Sequence, residues 1–371
     1  MNQQIGSVQS GRLISLDVMR GMIMIFLAAE SAQLYEASYS LPLPNLLHSL
    51  VEQFFHHPWH GLRFWDLVQP AFMTIAGTAM YLSYHQKNKK GITWSQNFKH
   101  ILWRSLKLFF LGVALHCIYA GHLVWELWNV LTQLAVTSII AYLIIRKSPV
   151  FQITLSVLLI LLTDLLYRLI AIPGFSEPYS EFYNFGAYMD TLLMGKINPD
   201  GWVAINFIPT AAHTIWGVLM GKLVVSEKPA RVKLQLLLTA GLSCLAIGYA
   251  LDGLNITPII KRISTGSFVF ASGGWVIFIF ACLYWFIDLR KNNKWSWIAT
   301  VFGMNAIFIY LFFESVGCQW LNPAIGIFVK GFCTPLQLSA TIQEVISSLV
   351  VLITEWYLCR WLFKKKLFFK L

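Results

Sequence analysis

Charge is what this 371-residue chain has least of. Asp, Glu, Lys and Arg make up 12% of it, about half the share usual in a soluble domain. Hydrophobic residues make up 57% and the mean hydropathy is +0.62. That shortage excludes an ordinary soluble globular protein. Cysteine is also sparse, six in all with no Cys-x-x-Cys pair, which argues against a structural zinc site. Cys117, Cys244, Cys282 and Cys359 fall in apolar runs and read as small buried hydrophobes. Cys318 and Cys333 fall in or beside the last predicted outer loop, where an oxidising compartment would allow a disulfide. A strong internal repeat is missing too, which speaks against an inverted-repeat transporter.

What the chain has in abundance is long apolar runs. A helix needs roughly 20 apolar residues to cross about 30 Å of hydrocarbon. Ten segments meet that expectation, approximately 13–35, 64–85, 101–121, 124–145, 150–172, 201–224, 232–251, 267–288, 295–317 and 341–363. The chain therefore reads as an all-α polytopic integral membrane protein, with residues 1–371 forming one transmembrane domain. The first span opens on charged residues without a small-residue cleavage site, so a retained helix is expected and no soluble domain at either end. The longer outer loops, 36–63, 173–200, 252–266 and 318–340, hold most of the Pro, Asn and acidic residues and are the natural place for an acceptor substrate.

Orientation follows from the bases, because cytoplasmic loops carry the excess of Lys and Arg. Of the 28 basic residues, 22 fall on one side, from Arg12 and Arg20 through Lys87–Lys107 and Lys222–Lys233 to Arg360 and Lys364–Lys370. Only Arg63, Arg168, Lys196, Lys261, Arg262 and Lys330 fall on the other. Both termini are thus expected in the cytoplasm. The net charge of +11 is explained by this bias and by anionic lipid headgroups, so membrane lipids are expected partners and nucleic acid is not.

Against that background, one outward-facing segment stands apart. Phe54-Phe55-His56-His57-Pro58-Trp59-His60-Gly61-Leu62-Arg63-Phe64-Trp65-Asp66 runs three histidines and a carboxylate into a membrane helix. Ionisable groups at such a depth are costly unless paired or functional. His56 precedes Asp66 by ten residues, and Pro58 and Gly61 can fold the loop so that the two meet. A carboxylate that takes the Nδ1 proton of a histidine fixes its tautomer and leaves the other nitrogen to act as a base. The alternatives are a helix-capping Asp66 beside interfacial histidines, or a metal site through His56, His57 and His60. No suitably spaced carboxylate completes the latter, and no metal is expected.

Other polar groups inside the spans need partners. Ser15 can cap the first helix, and Asp17 and Arg20 lie three apart on one face. Arg20 is either a charged anchor or a planar fork for a phosphate arriving from the cytoplasm. His213 is either a hydrogen-bonded interior histidine or a lining residue of a substrate path, and Gly217 and Gly221 beside it would permit close helix packing. Lys261 and Arg262 form an outer basic pair, against the positive-inside trend, that either snorkels or meets substrate. Asn305 and Glu314, Glu30 and Glu126 are lone polar groups.

Together these residues resemble the heparan-α-glucosaminide N-acetyltransferase family. The resemblance rests on His56-x-x-Trp59-x-Gly61-Leu62 with Asp66-Leu67-Val68-x-Pro70, on Arg12-x-x-Ser15-x-Asp17-x-x-Arg20-Gly21, on Gly303-Met304-Asn305, and on the terminal Lys364–Lys370 stretch. It spans essentially the whole chain, and the opening motif is also similar to the broader transmembrane acyltransferase superfamily. Lysosomal members carry a further luminal segment, so the chain looks like a bacterial homologue, expected in the inner membrane. The resemblance implies transfer of acetyl from cytoplasmic acetyl-CoA, the donor substrate, to the amine of a glucosamine-type sugar on the far side. It maps the active histidine and aspartate onto His56 and Asp66. Donor contacts are further expected at Arg20, Asn129, Gln133 and His213, and acceptor contacts at His57, Trp59, His60, Lys261, Arg262 and Asn305. A second copy in a homodimer is a further expected partner. Where the family reads Gly-Val-Leu-Gln-Arg, this chain has Asn129-Val130-Leu131-Thr132-Gln133 and so lacks the arginine, and Gln69 replaces an aromatic. Two other classes compete: an O-acyltransferase of a surface or periplasmic glycan, which would call for a histidine where Glu30-Ser31 stand, and a solute transporter using the same intramembrane polar groups.

Overall fold

The computed structural model describes residues 13–369; Arg12 and Lys370, counted above, lie outside the described residues. Among the described residues there is no strand longer than an isolated bridge. The helices are α1 Ile14–Ser31, α2 Leu34–Tyr39, α3 Asn45–Glu52, α4 Val68–Lys89, α5 Trp94–Ala120, α6 Val130–Leu143, α7 Pro149–Leu169 and α8 Phe185–Met194. They continue with α9 Phe207–Val225, α10 Ala230–Gly253, α11 Gly266–Leu283, α12 Ser296–Met304, α13 Ala306–Phe312, α14 Asn322–Cys333 and α15 Ala340–Lys364. The protein is an all-α polytopic membrane protein.

Length and apolar composition by themselves single out fewer helices than the ten spans expected. Six helices are long and apolar enough to cross a membrane: Trp94–Ala120, Pro149–Leu169, Ala204–Val225, Ala230–Gly253, Gly266–Leu289 and Ala340–Lys364. The expected span 295–317 is broken at Asn305, with a bend of 73°, and counts as a seventh only if its two halves are taken together. The remaining three positions do hold helices. However, α1 carries Asp17, Arg20 and Glu30, α4 opens on Gln69 and ends among lysines, and α6 has only 14 residues. Polar groups are tolerated there because these helices pack against other helices and not against lipid alone. Three of the loops expected on the outer side are likewise partly helical: 36–63 contains α3, 173–200 contains α8, and 318–340 continues a π-helical turn, Phe313–Leu321, into α14.

Small residues set the closest crossings. On α4 and α9, a Cβ at Gly77 would lie 2.0 Å from the Thr214 carbonyl and one at Gly217 would lie 2.1 Å from that of Thr74, so only glycine lets the two backbones touch. The Thr78 hydroxyl then donates to the Gly217 carbonyl at 3.0 Å. Gly303 fits against the Asp17 carbonyl of α1 in the same way.

The expected Ser15 cap is not formed. The first amides of α1, on Ile14 and Ser15, are instead bonded at 3.2 and 3.1 Å by the Asp288 carboxylate, which arrives from the end of the α11 segment. An acid from a neighbouring helix thus meets the positive end of the α1 dipole. Asp17 and Arg20 pair as expected, at 3.6 Å. Cys318 and Cys333 are free, one exposed and one buried: helical structure through this stretch holds Cys318 with its thiol 3.2 Å from the Glu314 carbonyl, within its own helix.

Helices α4, α9 and α11 all begin at the end of the bundle that carries Asp66, Asn206 and Gly266, and they run away from it in parallel. The amino-terminal end of α1 and the carboxy-terminal tail lie at the opposite end.

Candidate active site

The site grows from a loop that has no regular structure of its own. Two tethers shape it. The Gly61 amide donates to the Ile259 carbonyl at 2.8 Å and His60 bridges Ile260, so the loop is stitched to the turn before α11. Gly61 has a φ of +148°, and a Cβ there would fall 2.5 Å from the His57 ring, so glycine is required on both counts. The Trp65 amide, 2.9 Å from the Gln53 carbonyl, closes the other side. A 3₁₀ turn, Phe64–Leu67, then leads into α4.

Asp66 is wholly buried in that turn, and its oxygens gather donors. Oδ2 accepts the amides of Arg63 at 2.9 Å and His57 at 3.3 Å. Oδ1 lies 3.1 Å from His56 Nδ1 and 3.4 Å from Lys261 Nζ. The pairing expected from the ten-residue spacing is therefore present, and Lys261 joins it.

Lys261 belongs to a tight turn before α11. The Ser264 and Thr265 amides bond back to the Lys261 and Ile260 carbonyls at 2.9 and 3.1 Å, and the Thr265 hydroxyl donates to Pro258 at 2.6 Å. This turn presents Nζ inward, 2.9 Å from His56 Nδ1, with the side chain only 6% exposed. Burial lowers the Lys261 ammonium from its ordinary range, and the Asp66 charge opposes that. His56 keeps an open edge: its side chain is 38% exposed, and its Nε2 has no hydrogen-bond partner among the described residues. Desolvation of the ring, aided by the Lys261 charge and opposed by Asp66, pushes His56 down to about 4. The imidazole is neutral at physiological pH.

Aromatic and ionic walls complete the site. The Trp202 ring stands edge-on to His56 at 5.4 Å and offers its face to Lys261 at 5.4 Å and to Arg262 at 6.0 Å. Arg262 is held by Glu181 at 2.9 Å and by the Asp200 carbonyl. Trp59 donates its indole N–H to the Tyr179 carbonyl at 2.8 Å. His60 pairs with Asp252 at 2.7 Å, and the His57 ring is turned toward Gly61. Arg63 donates to the His56 carbonyl at 3.0 Å and pairs with Glu52. The three loop histidines thus diverge, His56 toward Asp66, His60 toward Asp252 and His57 toward Gly61. Among the described residues, no group of three or more His, Cys, Asp or Glu is arranged to hold a metal ion.

The structure gathers His56, His57, Trp59, His60, Asp66, Lys261 and Arg262 at one end of the bundle. The remaining candidates lie elsewhere. Asn129 caps α6 by accepting from the Leu131 amide at 2.7 Å and also bonds Tyr310. Gln133 meets Gln69, so the two departures from the family pattern contact each other. With Tyr119, whose hydroxyl donates to Glu314 at 2.7 Å, they form a polar seam between helices. His213 is wholly buried between α9 and α11, its Nε2 3.0 Å from the Val269 carbonyl and 3.3 Å from the Ser272 hydroxyl. Asn305 fastens the carboxy-terminal tail, donating to the Leu367 carbonyl at 3.1 Å and accepting the Phe369 amide at 3.0 Å. Arg20 is at the opposite end from His56, within electrostatic reach of Arg104.

Reading the sequence missed Trp202, Glu181 and Glu52. Trp202 carried one visible signal, an aromatic after Asp200-Gly201 at the foot of a polar loop. An apolar groove of about 720 Å³ also runs beside the loop, between Leu62, Arg63 and Phe64 and the α11 side chains Trp275, Phe278 and Ile279.

Comparison with known proteins identifies the family. Residues 12–249 match the family described as heparan-alpha-glucosaminide N-acetyltransferase, catalytic, a stretch that includes His56 and Asp66 and ends before Lys261. The human heparan-alpha-glucosaminide N-acetyltransferase is 25% identical over 326 residues, with 70% of this chain and 48% of the human protein covered. The chain thus spans about half the length of that curated relative. With the family match covering well over half of its residues, this chain belongs to the heparan-alpha-glucosaminide N-acetyltransferase catalytic family.

Proposed function

We propose that the protein is a transmembrane N-acetyltransferase that moves acetyl from cytoplasmic acetyl-CoA to the amine of a glucosamine-type sugar on the far side of the membrane, the bacterial inner membrane in this reading. The observation that carries the proposal is the 3.1 Å contact between His56 Nδ1 and the buried Asp66 carboxylate, with the opposite edge of the ring open. A thioester is already activated, so the protein has mainly to align donor and acceptor and to take one proton from the attacking amine. His56 Nε2 is placed to take it, and Asp66 orients the ring. Trp202, Trp59 and the Arg262–Glu181 pair form walls suited to a sugar, which offers hydroxyls to ionic groups and an apolar face to indoles.

Donor binding at the other end fits Arg20, with Arg104 nearby as a second positive charge for CoA phosphates. The Gln69–Gln133 and Asn129–Tyr310 seam supplies amide and hydroxyl groups for the pantetheine arm between the two ends. Membranes containing the protein, given labelled acetyl-CoA and a panel of amino sugars, should form N-acetyl sugar. Uptake of solute without acetyl-CoA dependence, or label found only on hydroxyls, would replace this reading.

A further inference from the structure

Three groups at this site share one position that can hold only one hydrogen. Lys261 Nζ is 2.9 Å from His56 Nδ1 and 3.4 Å from Asp66 Oδ1, and Nδ1 is 3.1 Å from the same Oδ1. Nδ1 can donate to Asp66 only when it carries a hydrogen, and it can accept from an ammonium only when it does not. The two contacts therefore belong to different tautomers of the imidazole. Asp66 alone would hold the hydrogen on Nδ1 and leave Nε2 basic. Lys261 as an ammonium, at the shorter distance, claims the Nδ1 lone pair and puts the hydrogen on Nε2, where it blocks the base.

We propose that Lys261 selects the tautomer of His56 and stores the proton released in acetyl transfer; this rests on the reading of His56 as the base. To activate the site, the Nε2–H bond breaks toward water at the open edge of the ring. A proton passes from Nζ to Nδ1, and Lys261 becomes a neutral amine. Nδ1–H then faces Asp66 Oδ1, and Nε2 holds a lone pair. When the neutral acceptor amine attacks the thioester carbonyl, the C–N bond forms, the C–S bond breaks and CoA leaves as its thiolate; the amine proton goes to Nε2 while the Nδ1 hydrogen returns to Nζ. No imidazolium accumulates, the proton shed to water at activation is matched by the one the CoA thiolate takes up from water, and Lys261 ends as the ammonium it was.

The surroundings suit this exchange. Lys261 faces Asp66, the more distant Glu30 of α1, the Arg262 charge and the Trp202 face. His56 faces Asp66, Lys261 and Arg262. His57, His60 and Arg63 of the same loop are turned to Gly61, Asp252 and Glu52. One acid beside two cations favours shedding a proton, and burial favours the neutral amine. Lys261 touches the base and not the reacting atoms, so it is a positioning residue.

The test uses the full chain in lipid nanodiscs with ¹⁵N-labelled histidine, His56 being identified by the signals lost in His56→Gln. At neutral pH the wild type should show its hydrogen on Nε2, and Lys261→Met should move it to Nδ1. A wild-type hydrogen on Nδ1 overturns the proposal, and that measurement stands even if Lys261→Met does not fold. Lys261→Arg keeps the charge but does not release a proton near neutral pH, so its kcat should fall about 100-fold or more with KM within a few-fold. In Lys261→Met the acidic limb of kcat/KM should move down by a pH unit or more. Near-wild-type kcat in Lys261→Arg, or an unmoved limb in Lys261→Met, overturns the proposal. A His56→Ala protein that still acetylates overturns the base assignment instead, and the tautomer result distinguishes the two failures.

Discussion

Two places in this molecule join a histidine, an acid ten residues further on and a lysine from a distant loop. One is His56, Asp66 and Lys261; the other is His116, Glu126 and Lys196. They are wired differently. At the second, the carboxylate stands between the bases, with His116 Nδ1 2.6 Å from Oε2 and Lys196 on Oε1. At the first, the lysine reaches the imidazole itself. Burial differs as well: the Lys196 side chain is 43% exposed, whereas Lys261 is 6% exposed and Asp66 is fully enclosed. Glu126 joins the carboxy-terminal end of α5 to the segment after α8, and the neighbouring Trp128 indole donates to Asp190 at 2.7 Å. That arrangement ties loops together. Residue types and spacing are shared, so enclosure and the identity of the touching atoms separate the site proposed to react from a structural tie.

Substitution should bring out the contrast most sharply at the histidines. His56→Ala is expected to lower N-acetyl transfer from acetyl-CoA by about 10³-fold or more, while His116→Ala stays within a few-fold; equal losses in a membrane assay would erase the distinction. The acids should follow at smaller size. Asp66→Asn can no longer orient a protonated Nδ1 as an anion and is expected to cost about 10²-fold in kcat, against less than about threefold for Glu126→Gln, a partly exposed pair. Chromatographic monodispersity of both variants separates this effect from misfolding.

A gentler probe is pH. Burial and the Lys261 charge push native His56 down to about 4, against an ordinary value of 6.5 in the unfolded chain. Between those values the unfolded state binds a proton that the native state does not, so the His56 contribution to stability is complete above about 6.5 and declines as pH falls toward 4. Thermal unfolding should show this decline, and His56→Gln should flatten it; an unchanged slope would detach the shift from His56. The smallest effect belongs to Lys196→Met, which removes a half-exposed ion pair worth at most about 1 kcal/mol. It should lower the melting temperature by only about 2–4 °C and leave acetylation intact.

How much of this was legible beforehand varies by element. The apolar runs marked every long helix, because a hydrocarbon span of fixed length imposes a minimum run of apolar residues. At α1, α4 and α6 helices stand where the runs lie, but charge or shortness keeps them below the length and hydropathy that mark the other spans, since hydropathy records how apolar a stretch is and not whether its polar groups face a neighbouring helix. Close packing at Gly217 and Gly221 followed from small residues four apart and is seen against Thr74 and Tyr81. The cap of α1 was misplaced from Asp288 to Ser15, because nothing local shows that an acid 273 residues away will supply it. At the site, the His56–Asp66 contact was readable because one short loop carries both. Trp202 and the inward aim of Lys261 were not, since the loops between α8 and α9 and between α10 and α11 meet only after the bundle closes.

The amino-acid sequence by itself determined that the chain enters a membrane as helices and that an imidazole and a carboxylate sit close on one loop, because hydropathy and short-range chain geometry act locally. Tertiary structure alone decided which edge of that imidazole is open, that a buried ammonium competes for the other, and that an indole walls it. Those outcomes depend on desolvation and on contacts between segments some 150 and 200 residues apart, which no local pattern encodes.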